Sequence, residues 1–110
     1  MISMNLKIVP QPRRTAELIH ALRIQMSRTE AQPGCIQCQL GQDERNPNVV
    51  LYHEDWDGWS EIEKHIRSER FSRILELMEL STVTPELSFF DINETRGMEY
   101  VQKLRTATPD

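Results

Sequence analysis

The opening stretch alternates, with Ile2, Met4, Leu6 and Ile8 interleaved with Ser3, Asn5 and Lys7. A period of two predicts a half-buried strand over Ile2 to Val9, with Asn5 on its second face. Pro10 and Pro12 stop it. From Arg13 the spacing widens to Ala16, Ile19, Leu22 and Met26, which predicts a helix through roughly Thr29. Gln32-Pro33-Gly34 is a turn, and Cys35 to Leu40 reads as a second strand of mixed faces. The polar run Gly41 to Asn48 then forms a hairpin loop into the next strand, so the second and third strands are expected to be antiparallel neighbours.

The stretch from Val49 to Phe71 organises the rest. Val49, Val50, Leu51 and Tyr52 favour a pleated backbone. Alternation puts Tyr52, Glu54 and Trp56 on one face and Leu51, His53 and Asp55 on the other. Asp57 and Gly58 break the strand, and the Asp57 carboxylate is expected to cap a helix opened by Trp59. In that helix Ile62 and Ile66 are four apart and form the expected buried stripe, with His65 on its edge. Ser68 is then expected to cap a second helical segment, in which Phe71, Ile74, Leu75 and Met78 repeat at three and four, ending near Leu80. Leu87 to Ile92, with Phe89 and Phe90, reads as a fourth strand. The tail from Thr95 places Met98, Val101 and Leu104 at helical spacing.

Strand, helix, strand, strand, helices, strand is the order of the ferredoxin-like split βαβ unit. The expected fold is therefore α+β, a four-stranded antiparallel sheet with helices on one face. The expected domain covers residues 1–94, followed by an extension, 95–110, made of a short helix and a loose end. Apolar residues on an uncovered sheet face call for a second subunit, so a homodimer is expected.

Composition narrows the classes. A chain of 110 residues is long enough for one core and too short for two. Its net charge of -4 argues against a nucleic-acid partner, which normally meets a basic face. No apolar run reaches the length of a membrane span, so no membrane partner is expected. The first residues lack a basic start with a long apolar region and a cleavage site, and a cytoplasmic protein is the expectation.

Pro33-Gly34-Cys35 before the second strand, Glu54 and Trp56 ending the third, a helical His65 before Ser68 and Phe71, and Pro85 before the last strand share an order and a spacing. Together they resemble the antibiotic biosynthesis monooxygenase family over residues 2–93. The resemblance implies a ferredoxin-like dimer whose two sheets form an α/β barrel. It also implies one of several activities: oxygenation of phenols or quinols without metal or flavin, haem degradation, sugar isomerisation, or none assigned. The haem-degrading branch has an asparagine on its first strand, which Asn5 matches. Its helical tryptophan and iron-ligating histidine fall on His65 and Leu75, and leucine has no lone pair for iron. No cofactor and no metal site are expected.

His65 is the strongest candidate for chemistry. Cofactor-free oxygenation needs a base that makes an electron-rich phenolate or carbanion able to reduce oxygen itself. The expected catalytic residue is His65, and the expected substrate-binding residues are Asn5, Tyr52, Glu54, Trp56 and Phe71. The substrate would be a small aromatic quinol or phenol held between the sheet and the two helices. The alternative for His65 is a histidine that only bonds a carbonyl or Glu54, and for Tyr52 and Trp56 it is core packing. The protein would then be a non-catalytic dimeric domain that binds a small molecule or a partner. Cys35-x-x-Cys38 suggests a redox or zinc half-site. Strand positions three apart point to opposite faces, however, so buried reduced thiols are the expectation. His20 is expected at the surface.

Overall fold

The computed structural model describes residues 1–106. β1 (Ile2–Ile8), α1 (Thr15–Glu30), β2 (Cys35–Gln42), β3 (Val50–Trp56), α2 (Trp59–Ile66), α3 (Glu69–Met78), β4 (Glu86–Asp91) and α4 (Met98–Thr106) follow one another along the chain. The strands form one antiparallel sheet in the order β2-β3-β1-β4. This is the expected ferredoxin-like fold. β1 becomes a central strand because β3 and β4 both pair with it.

Alternation decides which face each side chain takes. Ile2, Met4, Leu6 and Ile8 of β1, with Val50, Tyr52 and Trp56 of β3, lie on the covered face and are all but inaccessible. Leu18 and Leu22 of α1, Ile62 of α2, and Phe71, Ile74 and Leu77 of α3 complete that core. Burial of a large apolar side chain contributes about 1.5–3 kcal/mol, and here the contributions concentrate in one layer.

The helices depart from the spacing expected of them. In α1 the buried line is Leu18, Leu22, Gln25 and Thr29, so Ile19 and Met26 only flank it. In α3 the line is Phe71, Ile74 and Leu77, and Leu75 faces out. In α2 Ile62 and His65 are buried, whereas Ile66 is 37% exposed. His65 thus lies within the buried stripe rather than at its edge. A helical period of 3.6 leaves i+3 and i+4 nearly equivalent, and the tilt of each helix on the sheet chooses between them.

Neither expected side-chain cap bond forms, although Ser68 does hold the N-cap position of α3. Gly58, not Asp57, is the N-cap of α2, with no side-chain bond to the helix amides. The Ser68 hydroxyl donates backward to the His65 carbonyl at 2.6 Å instead of accepting from α3. That bond ties the end of α2 to the start of α3 beside His65. α4 forms where its spacing predicted, but it buries no residue. The loose end expected beyond it lies outside the described residues.

β2 carries an irregularity absent from the period-two reading. Cys35 opposes Trp56 and Gln37 opposes the adjacent Asp55, so Ile36 is an extra residue in a β-bulge. Just before it, Gly34 has φ +89°, a left-handed conformation that side chains rarely adopt. A Cβ at Gly34 would stand 2.4 Å from Cγ and 2.8 Å from Cβ of Glu61 in α2. The Gly34 carbonyl meanwhile accepts the Asp57 amide at 2.9 Å, joining the start of β2 to the end of β3. We expect Gly34→Ala to destabilise the fold by about 1–3 kcal/mol, the usual cost of a strained backbone position. Denaturant unfolding measures this, and an unchanged midpoint would show that the turn relaxes freely.

Candidate active site

The covered face of β3 presents Tyr52, Glu54 and Trp56 in succession, and α2 lays His65 over them. Glu54 is fully buried. Its Oε2 accepts the Tyr52 hydroxyl at 2.7 Å, and its Oε1 accepts Trp56 Nε1 at 3.0 Å. Both donors come from the same strand two residues away on either side, so the pleat itself builds the cradle. His65 stacks on Trp56, with ring centroids 4.7 Å apart and planes 29° from parallel. Phe71 of α3 closes the other side edge-on at 5.5 Å.

His65 Nε2 lies 3.3 Å from Glu54 Oε1, close enough for an ion pair. Its angle is wrong for a hydrogen bond, and neither ring nitrogen finds one among the described residues. A buried polar atom left without a partner costs about 1–3 kcal/mol. The surrounding aromatic packing holds the ring there in spite of that cost. Burial, followed by the adjacent Glu54 charge, pushes the Tyr52 hydroxyl far above its ordinary range, so it stays a neutral donor.

Four of the expected site residues therefore gather around His65: Tyr52, Glu54, Trp56 and Phe71. Asn5 does not. It opposes His53 across β1 and β3, on the uncovered face, with the thickness of the sheet between it and His65. Leu75, the position matching an iron ligand in the haem-degrading branch, is 48% exposed and away from this cluster.

Asn5 belongs to a second polar network that the reading of single strands missed. Asn5 Oδ1 is 2.7 Å from His53 Nδ1, and His53 Nε2 is 2.7 Å from Asp55 Oδ1. Asp55 also accepts the Ser3 hydroxyl, and Gln37 Nε2 at 2.7 Å. Ser3, Gln37 and Asp55 sit side by side in one cross-strand row, as Asn5, Gln39 and His53 do in the next. Pairing register assembles these rows, and one strand's sequence does not contain the register. A hollow of about 850 Å³ is lined in part by Asn5, His53 and Phe90 of this network's face and in part by Met26, Cys38 and Tyr52.

The antibiotic biosynthesis monooxygenase family model matches residues 1–77. The chain belongs to that family. A structure solved as an antibiotic biosynthesis monooxygenase aligns with a TM-score of 0.75 at 18% identity, covering 86% of this chain and all of the other. A conserved protein from Methanosarcina mazei aligns with a TM-score of 0.74 at 24% identity, covering 81% of this chain and 89% of that one. Rv0793 from Mycobacterium tuberculosis aligns with a TM-score of 0.76 at 15% identity, covering 87% and 98%. At these identities the likeness concerns the fold. No curated protein matches the chain.

Asp55 supplies a pH test of the second network. Burial pushes its carboxyl up, but bonds from Ser3, Gln37 and His53 outweigh that, and it titrates below its ordinary value of 3.8. A depressed folded pKa adds stability that is complete above the unfolded value and is lost as pH falls through the folded one. We expect the stability advantage of the wild type over Asp55→Asn to shrink as pH falls from about 5 to about 3. Urea unfolding across that window reads it, and a pH-independent difference would remove the carboxylate from the explanation.

Proposed function

We propose that this chain is a cofactor-independent monooxygenase of small electron-rich aromatics, quinols or phenols, with His65 as the base. The observation that carries the reading is a fully buried imidazole with both nitrogens unbonded, set beside a carboxylate that accepts one bond at each oxygen. Buried polar atoms are nearly always satisfied, so an exception concentrated in one ring points to a partner that arrives later. A quinol hydroxyl is such a partner. His65 takes its proton, Glu54 stabilises the imidazolium formed, and the resulting phenolate transfers electrons to oxygen. Trp56 and Phe71 hold the imidazole between them, stacked on one and edge-on to the other. Because the ring is sealed, substrate entry requires the corner between α2 and α3 to open.

A second reading is favoured by the position of the hollow. Asn5 and His53 line it, and His65 does not. On that reading the protein is a non-catalytic domain that binds a small molecule on the uncovered face. The two readings separate by variant. We expect His65→Gln to lower quinol-dependent oxygen uptake by about 10²–10⁴-fold, the usual worth of a positioned base, with the fold retained. His53→Gln should leave turnover nearly unchanged. Activity that survives in His65→Gln, or ligand affinity that depends on His53 with no turnover in the wild type, supports the second reading.

We further propose a cytoplasmic homodimer formed through the uncovered face. Contrary to the expectation of an apolar face, the uncovered face carries mostly polar side chains, with Leu51 and Phe90 its large apolar ones. The support is the family resemblance together with those two side chains, which stand 41% and 53% exposed. Sedimentation at micromolar concentration should show a dimer that Phe90→Lys weakens. A monomeric wild type would remove the proposal.

A further inference from the structure

We propose that Cys35 and Cys38 are a modification site, a dithiol that low-molecular-weight disulfides such as glutathione disulfide convert to a disulfide within β2. On a regular strand two cysteines three apart diverge. The bulge at Ile36 changes that count, because the extra residue lets Cys35 and Cys38 share the covered face. Their Sγ atoms are 3.7 Å apart. A covalent bond of about 2.05 Å requires the sulfurs to close by roughly 1.7 Å, within reach of side-chain rotation and a small backbone adjustment.

The two thiols differ in access, although burial raises the Cys35 thiol as well as that of Cys38. Cys35 is partly exposed and Cys38 is buried. Cys35 attacks one sulfur of the incoming disulfide, forming a mixed disulfide and releasing one small thiol. Cys38 then attacks the Cys35 sulfur, forming the Cys35–Cys38 bond and releasing the second small thiol. The protein loses two electrons and two protons, and one small disulfide becomes two thiols. Burial first, with Cys35 and Glu54 adding to it, holds the Cys38 thiol well above its ordinary range, so the second step is slow but internal.

Closure would also be felt beyond β2. Cys38 Sγ is 3.9 Å from the Tyr52 hydroxyl, the same hydroxyl that donates to Glu54. Drawing Cys38 toward Cys35 takes the sulfur from that contact, leaving Tyr52 with Glu54 alone. The modification site itself stands on the geometry of the two cysteines. Any effect on turnover rests on the catalytic reading of the Glu54 cluster, so the experiment below reads oxidation and not activity.

The folded wild-type chain is equilibrated in glutathione redox buffers, free thiols are trapped by alkylation, and intact mass is measured. We expect a monomer-mass species two hydrogens lighter than the reduced chain, without a glutathione adduct, that reverts with dithiothreitol. Cys38→Ser should stop at a stable adduct on Cys35, and Cys35→Ser should remain unmodified. In a Trp59→Phe background Trp56 is the only tryptophan. Its fluorescence should then change reversibly with oxidation. Glutathione adducts alone in the wild type, a disulfide between two chains, or thiols that stay free under oxidising conditions would each overturn the proposal.

Discussion

The buried Glu54 carboxylate is the group around which the candidate site has to be arranged. An ionised carboxylate removed from water is costly unless its lone pairs are occupied, and breaking such an arrangement typically costs about 3–5 kcal/mol. Tyr52 and Trp56 each donate to one of its oxygens from the neighbouring in-facing positions of β3. That arrangement constrains the aromatic rings, and Trp56 in turn sets the plane on which His65 stacks. The helix above cannot rotate without unstacking the imidazole. One strand's pleat thus orients a carboxylate, two aromatics and a histidine from another element.

The sheet separates two polar assemblies with different characters. On the covered side the carboxylate is satisfied and the imidazole is not. On the uncovered side His53 is held between Asn5 and Asp55, and Asp55 is held by Ser3 and Gln37. A histidine engaged on both nitrogens is fixed in place, whereas one with none is available to a newcomer. This contrast is the ground on which His65, and not the His53 that borders the hollow, is proposed as the base. Asn5, matched to an asparagine of the haem-degrading branch, falls in the wrong assembly for that chemistry, and Leu75 fails it independently.

The bulge at Ile36 reaches further than its size suggests. It places Cys35 and Cys38 on one face, and with Gly34 in a left-handed conformation it lets the chain pass close to Glu61 of α2. The same few residues therefore set the start of β2, its link to the end of β3 through Asp57, and the thiol pair. A substitution there acts on the sheet, on α2 and on the cysteines together.

Local pattern was sufficient for much of this protein. Alternation in Ile2 to Ile8 and in Val50 to Trp56 put Tyr52, Glu54 and Trp56 on one face, because side-chain direction along a strand depends only on parity. The order of strands and helices implied the ferredoxin-like sheet for the same local reason. What lay beyond the sequence depended on long-range placement. Whether Ile66 or His65 joined the buried stripe was decided by how α2 sits on β3. That Asn5 stands opposite His53, and Ser3 opposite Asp55, was set by register between β1 and β3, and the convergence of Cys35 and Cys38 by one inserted residue that breaks parity. Periodicity describes each element against its own axis. The pairing, tilt and bulges that bring elements together are settled only when the whole core packs at once.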